Sequence, residues 1–137
     1  MIDIKKLTIE EKVGQMMGFA FYGTEYSEEL KMQIEDIQVG LVIYFKDNCD
    51  NPRQIFKLNK IINERSKIPP FISLDQEGGM VTRIMKEATF FPGNMTISAT
   101  QNSEYAKKVG EMMGEELRAL GINMNLAPSL DVNNNPQ

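Results

Sequence analysis

The sequence predicts an α/β fold built from parallel βα repeats, and three observations carry that expectation. Four short apolar runs, at residues 16–21, 41–45, 71–74 and 122–126, are separated by stretches whose apolar residues recur at three- and four-residue spacing. Glycine, proline and asparagine punctuate the junctions between them. Strands alternating with helices pair in parallel, because each helix carries the chain back to the edge where the next strand starts. The third observation is length. Four such units in 137 residues either complete a small doubly wound sheet or make about half of a (β/α)8 barrel, which needs about 250 residues.

Each element has its own local signal. Thr8-Ile9-Glu10-Glu11 has the spacing of a capping box and starts a short helix. Met16-Met17-Gly18-Phe19-Ala20-Phe21 reads as the first strand, closed by Gly23. Ser27 caps a helix through Leu30, Ile34 and Ile37, which Gly40 is expected to end. Leu41-Val42-Ile43-Tyr44-Phe45 is a continuous apolar run of the kind buried on both faces. Asn51-Pro52 starts the next helix, with Ile55, Leu58 and Ile62 on one face and Phe56 beside them, and Pro69-Pro70 stops it. Phe71-Ile72-Ser73-Leu74 is the third strand, broken by Gly78-Gly79. A loop through Phe91-Pro92-Gly93 leads to the longest helix, residues 103–120, with Ala106, Val109, Met113, Leu117 and Leu120 turned inward and Gly121 as its stop. Ile122-Asn123-Met124-Asn125-Leu126 is the fourth strand, ended by Ala127-Pro128. The ten methionines are expected to fill the core.

Composition excludes several kinds of chemistry. Fifteen Lys and Arg against nineteen Asp and Glu give a formal charge of −4 with no basic cluster, which argues against nucleic acid or an anionic membrane as partner. The chain has no histidine, so no imidazole base, His-ligated metal or Ser/His/Asp triad can be assembled from it. Its single Cys49 allows no internal disulfide and no Cys-rich zinc site, and reads as a loop thiol in Asp47-Asn48-Cys49-Asp50. No glycine fingerprint follows a strand as a phosphate or dinucleotide would require, and no cofactor or metal is expected. Without an apolar leader or a run of about 18 apolar residues, a cytoplasmic location is expected.

The residues that could carry chemistry lie at strand ends. Asp75-Gln76-Glu77-Gly78-Gly79 follows the third strand, where α/β folds place ligand groups, and the two glycines permit positive φ and close backbone approach. Asp75 and Glu77, two apart in extended chain, are expected on one side. Asp131 holds the corresponding place after the fourth strand, and strands about 4.8 Å apart would let Asp75 and Asp131 line one mouth. Residue chemistry leaves three roles open for these acids: capping backbone donors at turns, binding a ligand, or working as a carboxylate pair of the glycosidase type. Arg83 either offers its fork to a polar ligand or pairs with Glu77. Tyr22, Tyr26 and Tyr44 lie near strand ends, available for stacking on a sugar or for core and interface packing.

Three segments in order, Leu7-Thr8-Ile9-Glu10-Glu11-Lys12-Val13-Gly14-Gln15-Met16, Leu74-Asp75-Gln76-Glu77-Gly78-Gly79-Met80-Val81-Thr82-Arg83 and Leu126-Ala127-Pro128-Ser129-Leu130-Asp131-Val132, resemble glycoside hydrolase family 3. Phe91-Pro92-Gly93-Asn94-Met95 and Leu120-Gly121-Ile122-Asn123 are similar to segments of its bacterial β-N-acetylhexosaminidases, the peptidoglycan-recycling branch. The resemblance implies a (β/α)8 barrel that hydrolyses terminal β-linked N-acetylglucosamine with retention, through an Asp nucleophile. By the same resemblance, Asp75 binds sugar hydroxyls, Asp131 supports the site, and Arg83 matches a family arginine.

The family's sugar-binding Arg segment, Lys-His pair, loop His acid/base and nucleophilic Asp would all follow residue 137. Residues 1–137 are thus expected to be the N-terminal portion of the catalytic domain, ending before the catalytic residues and inactive alone. The expected partners are an N-acetylglucosamine-containing sugar and either the C-terminal half of the barrel or a second copy of the chain. A non-catalytic sugar-binding or protein-interaction module that kept the half-barrel fold is the alternative.

Overall fold

The computed structural model describes residues 3–131 and 134. Strands β1 (Gly18–Ala20), β2 (Leu41–Tyr44), β3 (Phe71–Leu74) and β4 (Met124–Asn125) form one sheet in the order β1-β2-β3-β4, every pair parallel. Between them run α1 (Ile9–Gln15, ahead of β1), α2 (Glu28–Lys31), α3 (Pro52–Arg65), α4 (Asn94–Ala99) and α5 (Ser103–Ala119). This is the sequential strand order of a barrel wall, and it confirms the α/β expectation of parallel βα repeats.

The start signals work as read. The Thr8 hydroxyl accepts from Glu11 N at 3.2 Å while the Glu11 carboxylate accepts from Thr8 N at 2.9 Å. Lys67 also donates to Glu11, and this bond, with the Thr8 N–H, holds the Glu11 carboxyl below its ordinary value. Ser27 and Asn51 cap their helices through the amides of Leu30 and Gln54. The second helix ends differently from the expectation. Its last six residues, Met32–Ile37, form a π-helical segment, and Gln38, in the left-handed region at φ 57°, ends it. Gly40 instead serves close approach, since a Cβ there would lie 2.0 Å from the Gln15 carbonyl oxygen.

Register separates the two faces of the sheet. Val42 and Ile72 are partners, as are Tyr44 and Leu74, and all four are fully buried against Leu30, Ile34, Ile55, Leu58, Ile62 and Leu117. Tyr44 is therefore core, its hydroxyl donating to Asn59 Oδ1 at 2.6 Å, with the Phe21 ring edge-on at 4.9 Å. Leu41 pairs with Phe71 on the opposite face, and Ala20, Ile43, Ser73 and Met124 form the next row. There β2 is half-exposed rather than buried on both faces, and Phe71 is 59% exposed. Ser73, in the next row of the same face, is fully buried.

Several other apolar side chains depart from expectation. Of the nine methionines among the described residues, Met113 alone is buried, so the core-filling reading of the methionines fails. Phe56 sits half-exposed outside the Ile55, Leu58 and Ile62 stripe, and Ala106 is exposed near the start of α5. The segment after Gly93 folds as α4, which the sequence reading placed in a loop. Strand β4 is two residues long rather than five, pairing with β3 only at Met124 and Asn125.

Candidate functional site

Asp75 is the first residue beyond β3, on the face that carries Phe71 and Ser73 by strand alternation. Its Oδ2 accepts from Arg83 Nη2 at 2.5 Å, both side chains about three-quarters covered. Among the described residues Asp75 Oδ1 has no hydrogen-bond partner. The guanidinium also lies over the Phe45 ring, 5.7 Å from its centroid. Phe45 is two residues past Ile43, the β2 partner of Ser73, and so stands level with Asp75 at the mouth of the sheet. The sequence left Arg83 open between a ligand and Glu77; the structure pairs it with Asp75.

The hairpin-like loop that returns Arg83 to Asp75 is built by its neighbours. Glu77 N donates to Val81 O at 2.9 Å, and the Thr82 hydroxyl donates to Gly79 O. Gly78, at φ +86°, brings the loop against the next segment, since a Cβ there would lie 2.5 Å from Pro92 O. Gln76 is buried, and its Oε1 accepts from Arg83 N at 2.8 Å and Ile84 N at 3.3 Å. Asn125 clasps the Gln76 backbone in both senses, Oδ1 accepting from N at 3.0 Å and Nδ2 donating to O at 2.9 Å. Neither Gln76 nor Asn125 was singled out by sequence reasoning. The available signal was an amide side chain inside each apolar strand-end segment, where an unpaired amide is costly.

Glu77 parts from Asp75. Its Oε2 accepts from Ser129 N at 3.1 Å and lies 3.4 Å from Asn94 Nδ2, which ties the loops after β3 and β4 together. It lines a mostly apolar cleft of about 540 Å³ with Asn94, Val109, Met113, Pro128 and Ser129, and neither Asp75 nor Arg83 borders that cleft. The expected common orientation of Asp75 and Glu77 is therefore not found, because Glu77 turns to the unpaired amide of Ser129. Asp131 is exposed, and among the described residues it makes no hydrogen bond or ion pair. Cys49 packs beside the core, and burial pushes its thiol up to about 12, so it stays protonated at neutral pH. Tyr26 donates to Glu35 at 3.1 Å, while Tyr22 is exposed just past β1.

Comparison with known proteins gives this arrangement a context. The profile of the Glycosyl hydrolase family 3 N terminal domain matches residues 8–137. Beta-hexosaminidase A of Pseudoalteromonas piscicida is 39% identical over 95% of this chain, and the match spans 26% of that protein. A family 3 beta-N-acetylglucosaminidase from Paenibacillus sp. str. FPU-7 superposes with a TM-score of 0.92 at 46% identity, over 95% of this chain and 26% of its own. NagZ from Neisseria gonorrhoeae, solved with N-trifluoroacetyl-D-glucosamine, superposes with a TM-score of 0.72 at 26% identity, over 82% of this chain and 35% of its own. The chain thus spans about a quarter to a third of the length of these relatives. Sequence motifs, parallel sheet and superposition agree that the chain belongs to glycosyl hydrolase family 3, within the TIM-barrel-type N-terminal domain of that family.

Proposed function

We propose that the chain is the N-terminal, substrate-binding portion of a retaining glycosidase that removes terminal β-linked N-acetylglucosamine from peptidoglycan-derived sugars in the cytoplasm. One observation supports it above the others: a carboxylate at the strand-end mouth whose second oxygen is left for a sugar hydroxyl. Arg83 takes one oxygen of Asp75 and keeps the group oriented, while Oδ1 stays available as an acceptor. The exposed half of the Phe45 ring lies beside it as an apolar wall for the sugar. The printed names of the relatives, β-hexosaminidases and β-N-acetylglucosaminidases, supply the sugar class. In this reading Asp75 and Arg83 bind and orient the sugar, and Asp131 supports the site from the loop after β4.

The chemistry of retention explains why these residues do not suffice. Retaining hydrolysis needs a nucleophile beneath the anomeric carbon and a proton donor at the leaving oxygen, with the two groups about 5–5.5 Å apart when both are carboxyls. Asp75 is held by Arg83, and Glu77 is turned to a different cleft, so the two acids do not form such a pair. The chain has no histidine to act as the proton donor. The nucleophile and acid are assigned to the part of the barrel that these residues do not include.

Two measurements test the reading. The chain alone is expected to release no chromophore from an aryl β-N-acetylglucosaminide; turnover that Asp75→Ala abolishes would make Asp75 catalytic and overturn it. Charge-assisted hydrogen bonds of about 1.5–3 kcal/mol in an open site correspond to millimolar or weaker binding. NMR titration with N-acetylglucosamine should therefore shift Phe45 and residues 75–83 at millimolar sugar, and Asp75→Ala should remove the shifts. Shifts centred on Glu10 and Ser103 instead would overturn the assignment.

A further inference from the structure

We propose that Asn48 is a positioning residue of the candidate site, clamping Phe45 so that its ring meets both Arg83 and the sugar. The inference rests on the sugar reading of Asp75 and Phe45 and deepens it. Asn48 is 2% exposed, and its side chain reaches two of the loops at the mouth. Its Oδ1 accepts from Phe45 N at 2.8 Å, while Nδ2 donates to Phe21 O and Gly23 O, each at 2.9 Å. The Asn48 backbone N–H also donates to Phe45 O at 3.0 Å, so one residue holds both polar backbone groups of Phe45.

Phe45 needs such a clamp because packing does not fix it. The ring is half-exposed and lies outside the hydrophobic core, so the backbone sets where it stands. An asparagine suits the task. Its two N–H donors answer two carbonyls of the loop after β1, and its oxygen answers an amide of the loop after β2. A buried side-chain amide with these partners is held in one orientation, since turning away would leave them unpaired at a cost. The loops after β1 and β2 are thereby fixed to each other.

Across the mouth this clamp faces the brace made by Gln76 and Asn125. The brace fixes the backbone of Arg83 from the side of β3 and β4, and Asn48 fixes Phe45 from the side of β1 and β2. The two meet where the guanidinium lies 5.7 Å from the ring centroid, within the range of a cation–π contact. Arg83 is thus oriented twice, by Asp75 Oδ2 and by the ring. The exposed half of the ring is left, beside Asp75 Oδ1, for the apolar face of the sugar.

NMR of the chain titrated with N-acetylglucosamine tests the clamp. Without any substitution, the Asn48 side-chain amide signals should move on the same saturation curve as Phe45. Those of Asn59, also buried but bonded to Leu120 O ahead of β4, should stay still. This measurement decides the matter should Asn48→Ala fail to fold. Where that variant folds, the sugar response should weaken about two- to fivefold, the worth of one exposed cation–π contact, and the Arg83 Nε–H signal should shift. In a Phe45→Ala background, Asn48→Ala should weaken the response no further, because Asn48 acts through that ring. A still Asn48 amide beside a moving Phe45 overturns the proposal, as does an equal loss in both backgrounds or an unchanged sugar response. The absence of any sugar shift at Phe45 and at residues 75–83 overturns the sugar reading instead. The clamp is then judged without sugar, and an Arg83 Nε–H signal unmoved by Asn48→Ala overturns it as well.

Discussion

On the helix side of the sheet Val42, Tyr44, Ile72 and Leu74 have no exposed surface, whereas their immediate neighbours Leu41, Ile43 and Phe71 keep part of theirs. The two sets alternate along the same strands and are equally apolar. What separates them is whether another element of the chain returns to cover them. The helices α2, α3 and α5 bring Leu30, Ile34, Ile55, Leu58, Ile62 and Leu117 onto one side, whereas on the other side Leu41, Ile43 and Phe71 stay partly exposed beside the fully buried Ser73. A strand that is apolar on both faces thus states that both faces are to be covered, without stating by what. The mouth of the less covered face carries Asp75, Arg83 and Phe45, so the candidate site lies on that side of the sheet.

The largest expected difference between the faces is in stability. Ile72→Ala removes a fully buried side chain from the helix side and should cost about 2–5 kcal/mol in urea denaturation. A loss below about 1 kcal/mol there would mean that the helix-side core is looser than its burial indicates.

At the base of the same sheet, where α1 leads into β1, Glu11 gives a smaller, pH-dependent effect. Its carboxyl is held below the ordinary value near 4.5, first by Lys67 and then by the Thr8 amide. A lowered folded value means that the contribution is complete above the unfolded value and is lost as pH falls through the folded one. Stability should therefore decline below pH 4.5, and Glu11→Gln should flatten that decline while lowering stability at neutral pH. An unchanged acid limb in the variant would remove Glu11 from the account.

The smallest effect belongs to the open face. Phe71→Ala, one residue from Ile72, should change stability by no more than about 0.5 kcal/mol. A loss as large as that of Ile72→Ala would show that something already covers Phe71 in the single chain.

What the sequence determined by itself is the local part of this architecture. Thr8 with Glu11, Ser27, Asn51 with Pro52, and Gly121 are start and stop signals whose donors and acceptors lie within a few residues. They are legible because their geometry is complete before any tertiary contact forms. The βα order and the strand-end position of Asp75 follow from the same signals.

Tertiary structure alone decided which groups meet. Arg83 could turn to either acid, and it reaches Asp75 because the buried Gln76 side chain anchors the returning backbone at Arg83 and Ile84. Gln76 is in turn fixed by Asn125, 49 residues away, and Glu77 turns aside to Ser129 at a separation of 52. The methionines mark the same limit, since hydrophobicity records a preference for burial but not whether a covering element exists. Contacts between distant residues depend on the relative placement of β3 and β4, which no local propensity encodes. That placement is set only when the sheet assembles.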